Sequence, residues 1–254
     1  MKPKALIWDV DGTLAETEEV HRHAFNTAFK EYGYEWEWSC EKYCELLQVT
    51  GGVERISHFL RSERPGEIAE DIFEDEVKRL HKEKTSLYVS MIKSGSSSLR
   101  PGVERLMLEA KNDGIILAIA TTTTLINLEM LIDNSPDKVK MNWFDVIGAG
   151  NIIKHKKPAP DIYNWTLNEL SLEPHNCVAM EDSVNGLKSA SAAGIPTVIT
   201  YSSYTKHQSF DGAMLIADSL GEPDVPANFS FPENGEESYI DMNLINKAYK
   251  NFIC

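Results

Sequence analysis

The chain has 254 residues, of which 42% are hydrophobic and 25% charged, a composition typical of a folded protein that is large enough for two domains. Its formal net charge of −14 disfavours nucleic acid and anionic membranes as partners. No apolar run approaches the roughly 20 residues that cross a bilayer, and the first residues do not form a signal peptide. The four cysteines form no Cys-x-x-Cys pair and fit reduced thiols, which suit the cytoplasm. We expect a cytoplasmic monomer.

In the first half of the chain, the composition and the spacing of apolar residues change after a short acidic loop. Residues 4–8 form an apolar run that predicts a buried strand, and the string Asp-Val-Asp-Gly-Thr follows it. Residues 16–89 are rich in charged and aromatic side chains, and their apolar residues recur at helical spacing. The Gly- and Ser-rich stretch 93–102 is typical of a connection between domains. We therefore predict an all-helical insert at 16–89, within a core domain formed by 1–15 and 90–254.

Helix and strand patterns alternate through the rest of the chain. Alternation of this kind predicts a parallel sheet with helices on both faces, which makes the core an α/β, Rossmann-like domain. The acidic residues after about 220 predict a solvated extension, with a final helix over 239–253. The strands are predicted at 115–120, 144–148, 177–180 and 196–200, and the helices at 103–112, 125–132, 160–170 and 184–193.

Polar side chains follow several predicted strands at the point where each strand ends. In a parallel α/β sheet, ligands bind beyond the carboxyl ends of the strands, so these side chains are expected to meet in one site. Taken singly, each string also fits an acidic turn, a threonine-rich helix cap or an ordinary Lys-Pro loop. The residues that we expect to meet are Asp9, Asp11, Thr121, Thr122, Thr123, Lys156, Lys157, Glu181 and Asp182.

These residue types suit phosphoryl transfer with a metal ion. Carboxylates as close as Asp9 and Asp11 repel each other unless a cation or a proton intervenes, and a cluster of carboxylate oxygens suits Mg²⁺. One carboxylate can act as a covalent nucleophile, and a second, two residues on, can protonate the leaving oxygen and then activate water. Lys157 can neutralise the transferring phosphate, and Thr121 can hydrogen-bond it at the start of a helix.

Four strings in this order resemble the motifs of the haloacid dehalogenase-like hydrolases. The resemblance spans roughly residues 4–200 and is carried by Asp9-Val-Asp-Gly-Thr13, Thr121, Lys157-Pro-Ala-Pro-Asp-Ile-Tyr163 and Glu181-Asp-Ser-Val-Asn-Gly186. It implies that the helical insert is a cap that closes over the substrate and excludes water.

The resemblance also assigns roles to individual residues. Asp9 would be the nucleophile and Asp11 the general acid and base, while Thr121 and Lys157 would bind the phosphoryl group. The Mg²⁺ ligands that it implies are Asp9, the carbonyl of Asp11 and Asp182, with Glu181 in support.

The finer resemblance is to the CbbY-like branch, the xylulose-1,5-bisphosphate phosphatases. It is carried by Asp11-Gly-Thr-Leu-Ala-Glu-Thr-Glu-Glu-Val-His21, Val49-Thr-Gly-Gly-Val-Glu-Arg-Ile56 and Ala118-Ile-Ala-Thr-Thr-Thr-Thr124. It implies xylulose 1,5-bisphosphate, or another small anionic sugar phosphate, as substrate. Where the branch carries Lys this chain has Val53, so a cation expected near a distal phosphate is missing, and Arg55, His21 or Arg100 could replace it. The residues implied to contact the substrate are Glu16, His21, Gly51, Gly52, Arg55, Thr121, Thr122, Thr123 and Lys157.

Three other functions share parts of this pattern. A beta-phosphoglucomutase-like sugar phosphomutase would use the same nucleophile, acid and cap, although Thr13, where such mutases tend to carry Val, favours hydrolysis. A dehalogenase needs neither the metal nor the second aspartate, and both Asp11 and Asp182 are present here. A catalytically idle ligand-binding module is disfavoured because the set of Asp9, Asp11, Lys157 and Asp182 is intact.

Overall fold

The computed structural model describes residues 2–95, 97–150, 152–231 and 238–253, and strands and helices alternate along most of the core in these ranges. Short 3₁₀ helices lie at Met141–Trp143 and Pro174–Asn176. The strands are β1 (Ala5–Trp8), β2 (Ile116–Ala120), β3 (Val146–Gly148), β4 (Cys177–Glu181), β5 (Thr197–Thr200), β6 (Leu215–Ala217) and β7 (Phe229–Phe231). The α-helices are α1 (Glu18–Glu31), α2 (Cys40–Leu46), α3 (Gly52–Glu63), α4 (Phe73–Ser94), α5 (Val103–Asn112), α6 (Leu125–Asn134), α7 (Asp161–Leu170), α8 (Val184–Ala192) and α9 (Met242–Ile253).

The strands in these ranges form one sheet with the order β3-β2-β1-β4-β5-β6-β7. Neighbouring strands are parallel, except that β6 and β7 are antiparallel. The last residue of β1, Trp8, pairs with Ile119 of β2 on one side and with Met180 of β4 on the other. The loops that follow these three strands therefore leave the sheet at the same edge. The predicted Rossmann-like α/β core is confirmed.

Both faces of the sheet are buried, which explains why the strands read as continuous apolar runs. Along β1, Leu6 and Trp8 pack into the larger apolar cluster, with α5, α6 and α9. Ala5 and Ile7 point to the opposite face, where they meet α7 and α8. This alternation of side chains along a strand places the sheet between two layers of helices.

The helices α1 to α4 form the cap, and they pack around an aromatic cluster of their own. Its centre includes Phe25, Phe29, Trp38 and Phe59, with the Phe25 and Trp38 ring centroids 4.7 Å apart and those of Phe29 and Trp38 4.9 Å apart. The long helix α4 packs along α1 and also against α6 of the core. The cap is thus a helical unit with its own hydrophobic core, held next to the sheet by α4.

The prediction of a solvated extension after residue 220 is wrong for the part of the chain that the structure describes. The predicted final helix is present as α9, and its apolar stripe, which includes Ile245 and Tyr249, is buried in the main core cluster. Glu222 accepts a hydrogen bond from Arg105 Nε at 2.9 Å, which fixes this region to α5. The helix itself was predicted, whereas its burial against the main core was not.

The remaining acidic residues of that stretch, Glu233, Glu236 and Glu237, lie outside the described residues, as does Cys254. Among the described cysteines, Cys40, Cys44 and Cys177 are free, and Cys177 is buried whereas Cys40 is exposed. Among the described helices, none combines the length and the apolarity that a membrane span requires.

Candidate active site

The predicted polar residues converge beyond the carboxyl ends of β1, β2 and β4. Asp9 follows β1 directly, and its backbone N–H donates to the Met180 carbonyl of β4 at 3.0 Å. Glu181 ends β4 and Asp182 follows it, so the adjacent strands bring their carboxylates together. Thr121 follows β2, and its N–H donates to the Gly148 carbonyl at the end of β3 at 2.9 Å. Strand pairing, rather than proximity in sequence, thus assembles the site.

Lys157 lies between two of these carboxylates. Its Nζ donates to Asp9 Oδ1 at 2.7 Å and to Glu181 Oε1 at 2.6 Å, and the Tyr163 hydroxyl donates to the same Glu181 oxygen at 2.6 Å. Burial alone would lower the pKa of Lys157, but the charges of Asp9 and Glu181 hold it above its ordinary value. The lysine therefore stays cationic next to Asp9.

Asp9 has an unusual electrostatic environment for an aspartate. Burial raises its pKa to about 7. The charge of Lys157 opposes this rise, and the charge of Glu181 adds to it. The pKa of Asp182 is also raised, first by burial and then by the charges of Asp9 and Glu181. These carboxylates repel one another in a buried place, and an additional positive charge would relieve the repulsion.

The same carboxylates fit a divalent cation. Within the described ranges, Asp9, Glu181 and Asp182 each offer an oxygen, and these oxygens lie within 4.8 Å of one another. Glu181 Oε2 is buried without a hydrogen-bond partner, which leaves it available as a ligand or as an acceptor from a ligated water. Oxygen donors of this kind are those that Mg²⁺ prefers. The side chain of Asp11 is not part of the cluster, which is compatible with the expected use of its carbonyl.

Two glycines of the motifs make room for the acidic cluster. A Cβ atom at Gly12 would lie 2.2 Å from Asp182 Oδ2, and one at Gly186 would lie 1.8 Å from Glu181 Oε2. Gly12 also has φ of +80°, a conformation that favours glycine. At both positions any side chain would displace a carboxylate, so these residues belong to the site although they carry no chemistry.

Asp11 is held by a chain of hydrogen bonds that begins in the cap. The Thr17 hydroxyl donates to Asp11 Oδ1 at 2.6 Å, and His21 Nε2 lies 3.0 Å from the same oxygen. Lys84 Nζ lies 2.6 Å from His21 Nδ1, so the lysine donates to Nδ1 and the histidine carries its proton on Nε2. The His21 ring is fixed by stacking on Tyr88, with centroids 4.1 Å apart.

This chain of contacts controls the charge of Asp11. Burial by itself raises the pKa of Asp11, but His21, the Thr17 hydroxyl and the more distant Lys84 charge together hold it below its ordinary value. Burial and the Lys84 charge in turn lower the pKa of His21, so the ring is neutral at pH 7. Asp11 is therefore a carboxylate in this arrangement, ready to accept a proton.

Lys84 was missed by the sequence reasoning, although the sequence contains a signal for it. It occupies a position in the buried stripe of α4, between Leu80 and Tyr88 at a spacing of four residues. A lysine in the middle of an apolar helical stripe is rarely buried unless it is paired. Its partner, His21, lies 63 positions away on α1, and only the packing of α4 along α1 brings the two together.

The threonine run forms the wall of the cavity opposite the cap. Thr124 is the N-cap of α6, and its hydroxyl accepts from the Asn127 N–H at 3.4 Å. Thr121 and Thr123 are buried, and the Thr123 N–H donates to Thr121 Oγ1 at 3.2 Å. All four threonines line the cavity, so the structure brings Thr121, Thr122 and Thr123 together with Asp9 and Lys157 as expected.

The cap contributes the opposite wall. Gly51, Gly52, Arg55 and His21 line the cavity, together with Val53. Arg55 Nε donates to the Leu46 and Val49 carbonyls at 3.2 and 3.3 Å, and its Nη1 donates to the Tyr43 hydroxyl at 3.0 Å. His81 and Lys84, which the sequence reasoning missed, line the cavity as well, as does Lys156 from the core.

Two predicted residues lie elsewhere. Glu16 is half-exposed and does not line this cavity; it pairs with Arg100 Nε at 3.2 Å. Arg100 donates to the carbonyls of Thr200 and Tyr201 at 2.7 and 2.8 Å and to those of Gly12 and Asp218. Arg100 therefore fastens loops of the core together and does not replace the missing cation at position 53.

The comparisons with known proteins agree with this geometry. The sequence model of the haloacid dehalogenase-like hydrolases matches residues 6–200. The chain is 46% identical to CbbY of Cereibacter sphaeroides over 86% of this chain and 93% of that protein, and 49% identical to CbbY of Rhodobacter capsulatus over 84% and 92%.

The fold is shared with solved structures of these relatives. A mutant of CbbY from Rhodobacter sphaeroides, in complex with xylulose-1,5-bisphosphate, superposes with a TM-score of 0.80 at 44% identity, over 87% of this chain and 96% of that one. A beta-phosphoglucomutase from Clostridium difficile, at 21% identity and a TM-score of 0.75, covers 100% of this chain and 99% of that one and shares the fold. The chain belongs to the haloacid dehalogenase-like hydrolase family, in the branch that contains CbbY.

Proposed function

We propose that this protein is a Mg²⁺-dependent phosphatase that hydrolyses a small sugar phosphate through a phospho-aspartate on Asp9. The observation that carries the proposal is the arrangement around Asp9. One nucleophilic carboxylate lies 2.7 Å from a buried lysine, beside Glu181 and Asp182, while Asp11 faces the same cavity with its own set of hydrogen bonds. This combination supplies a nucleophile, a cation, oxygen ligands and a proton-transfer group in one place.

In the first step, a carboxylate oxygen of Asp9 attacks phosphorus. The bond between phosphorus and the sugar oxygen breaks, and Asp11 donates a proton to the departing oxygen. The incoming phosphate dianion would raise the pKa of Asp11 by repulsion, which favours the protonated form that this step needs. In the second step, Asp11 takes a proton from water, the water oxygen attacks phosphorus, and inorganic phosphate leaves Asp9 as a carboxylate.

Lys157 and Thr121 would stabilise the phosphoryl oxygens. Lys157 already contacts Asp9 and is held cationic, so its charge is in position before the substrate arrives. Thr121 lines the cavity, and the threonine run leads into the N-terminus of α6, the end of a helix that favours anions. Donors fixed in advance lower the barrier because they need no reorganisation during the reaction.

Asp9 and Asp182, with Glu181 in support, would hold Mg²⁺, and the Asp11 carbonyl would complete the protein ligands. The buried, unpartnered Glu181 Oε2 and the raised pKa of Asp182 support this assignment. When bound, the ion supplies positive charge that neutralises the carboxylates and the transferring phosphoryl group.

The substrate is proposed from both the cavity and the relatives. The structure of a CbbY mutant with xylulose-1,5-bisphosphate makes this compound the first candidate. Arg55, Lys84 and Lys156 line the cavity beside Glu18 and Glu54, and these three basic side chains could receive a second phosphate. Lys156 of the core would serve the distal phosphate, since Val53 carries no charge. Substrate contacts by His21, Gly51, Gly52, Arg55, Thr122 and Thr123 remain part of this proposal, whereas Glu16, which lies outside the cavity, does not.

We also propose that residues 16–89 act as the mobile cap domain and that 1–15 with 90–254 act as the core. His21 and Lys84 come from the cap helices α1 and α4, yet the chain that they form ends on Asp11 of the core. Seating of the cap would thus complete the acid–base group and exclude water from the first step.

The test is phosphate release from sugar mono- and bisphosphates, measured with Mg²⁺ and with a chelator. We expect Mg²⁺-dependent release, fastest from xylulose 1,5-bisphosphate, and an acid-stable mass increase of one phosphoryl group on the Asp9 peptide after rapid quenching. The Asp9→Asn variant is the control that should show neither. Release from another sugar phosphate would refute the substrate alone. Transfer of phosphate within glucose phosphates without release would refute hydrolysis.

A further inference from the structure

A short turn after β5 touches both the cap and the acidic cluster. It comprises residues 201–208 and is closed by backbone hydrogen bonds from Thr205 N and Lys206 N to the Ser202 carbonyl, at 3.1 and 3.0 Å. Its far end is fixed to the core, because Gln208 Oε1 accepts from the Val184 N–H at 2.7 Å. None of the family motifs in the sequence includes this turn.

Tyr204 is the part of the turn that the cap holds. Although it belongs to the core, its buried ring lies in the aromatic cluster of the cap, edge-on to Tyr43 with centroids 5.7 Å apart. Its hydroxyl donates to Glu19 of α1, and its carbonyl accepts from Cys44 Sγ of α2 at 3.9 Å. These contacts exist only when the cap is seated on the core.

Thr205, the next residue, is the part that reaches the acidic cluster. It is buried, and its Oγ1 donates to Asp182 Oδ2 at 3.3 Å. The same hydroxyl accepts from the Ser202 N–H at 2.8 Å, so the turn fixes its direction. Thr205, together with the Ser202 side chain, which also hydrogen-bonds Asp182, therefore orients one carboxylate that we assign to the metal.

We propose that Tyr204 and Thr205 are positioning residues that couple seating of the cap to the orientation of Asp182, and so to the affinity for Mg²⁺. Adjacent residues on a rigid turn cannot move independently, so a cap that holds Tyr204 also holds Thr205 against Asp182. By linkage, a bound ion that fixes Asp182 must favour the seated cap to the same degree. The inference rests on the metal site proposed above.

The first test is the dissociation constant for Mg²⁺, measured by calorimetry on chelator-treated protein without substrate. Tyr204→Phe keeps the ring but removes the hydroxyl bond to Glu19, and Thr205→Val removes the bond to Asp182. We expect each to weaken Mg²⁺ binding about fivefold, within the usual range of coupling between sites. Thr205→Ser should restore wild-type affinity. Tyr201→Phe is the matched control, since this ring belongs to the same turn and stacks on Phe210 of the core.

Cap seating is measured separately by the labelling rate of the Cys44 thiol, in a background where Cys40 and Cys254 are replaced by Ser. Mg²⁺ should slow labelling in this background and have no effect when Thr205→Val is added. The double variant of Tyr204→Phe and Thr205→Val should bind Mg²⁺ no more weakly than Thr205→Val alone, because both changes interrupt the same chain of contacts between the cap and Asp182. Wild-type affinity in Tyr204→Phe, or additive losses, would overturn the coupling and leave the metal site standing. Failure of the unmodified chain to bind Mg²⁺ would overturn the metal site and the coupling together.

Discussion

Replacing Lys84 by methionine should separate stability from catalysis. Lys84 is buried, its Nζ lies 2.6 Å from His21 Nδ1, and its ammonium group lies over the rings of Phe25 and Tyr88 at 4.7 and 5.4 Å. Methionine has a similar length and fills the same apolar stripe without a charge. The substitution therefore removes the start of the hydrogen-bond chain to Asp11 and leaves the packing nearly unchanged.

The size of the stability effect follows from the pKa of Lys84. Burial lowers it from 10.5 to about 7, partly offset by the attraction of Asp11. Retaining this residue thus costs the folded state roughly 4 kcal/mol at neutral pH, an order-of-magnitude figure. Lys84→Met removes that cost, so the free energy of unfolding should rise by a few kcal/mol at pH 7.

The pH dependence of the free energy of unfolding checks the direction of this stability effect. Between about pH 7 and 10.5 the unfolded chain still holds the Lys84 proton and the folded chain has released it. Wild-type stability therefore gains from this group as pH rises through that window, by up to roughly 1.4 kcal/mol per pH unit. The stability difference between Lys84→Met and wild type should be largest below pH 7 and shrink toward pH 10.5.

Turnover should fall about 100-fold in Lys84→Met, because His21 loses the donor that fixes its tautomer and Asp11 loses its orientation. The assays are urea unfolding followed by tryptophan fluorescence at several pH values, in chelator, and initial rates of phosphate release. Lys82→Met is the control, since Lys82 is exposed on the same helix. A variant that is less stable than wild type at pH 7, or one that turns over normally, would refute this reasoning.

Other substitutions test the remaining parts of the site. Asp9→Asn should abolish turnover without lowering the unfolding midpoint, because it removes a carboxyl whose pKa burial has raised to about 7; residual phospho-enzyme in a quench experiment would contradict the assignment. Asp11→Asn should slow turnover about 10²- to 10⁴-fold while substrate still binds, so that initial-rate measurements show a lower kcat and a nearly unchanged KM. Gly186→Ala should weaken Mg²⁺ binding in calorimetry, because its Cβ would lie 1.8 Å from Glu181 Oε2, whereas Gly95→Ala, which meets its nearest atom at 3.5 Å, should not. Val53→Lys should lower the KM for the bisphosphate more than that for the matching monophosphate; equal effects on both would argue against a distal phosphate near residue 53.

Much of the core fold could be predicted because its signals are local. Apolar runs followed by polar residues mark β1, β2 and β4. Because the carboxyl ends of parallel strands lie at the same edge of a sheet, the residues that follow these strands are expected to meet. The strands β6 and β7, each of three residues, were not predicted. The α9 stripe was overlooked because the acidic residues before it dominated the composition.

The site could be predicted where a residue stands in a motif, and not where its role depends on a partner far along the chain. Asp9, Lys157 and Glu181 come together as expected because β1 and β4 are neighbours. The contact of Lys84 with His21, and that of Thr205 with Asp182, depend on how helices and turns pack, which no spacing in the sequence encodes. Cap residues are for this reason harder to assign than strand-end residues.

In this strongly acidic chain, the cavity that we propose binds a phosphate combines cationic side chains with carboxylates. Many of the 39 acidic residues lie on the surface, whereas Lys157 and Lys84 are buried at the cavity and Arg55 and Lys156 line it. Exposed charges farther than about 8 to 10 Å from the substrate are screened by physiological salt, whereas the buried cations are screened much less. A phosphate inside the cavity would therefore experience mainly these cations and the proposed Mg²⁺, which offset the carboxylates of Asp9, Asp11 and Asp182, rather than the net charge of −14. To reach the cavity, the substrate must cross the repulsive field of the exposed acidic residues, which salt screens. We therefore expect its association rate to rise at moderate salt, in contrast to sites whose surface charge steers the ligand inward.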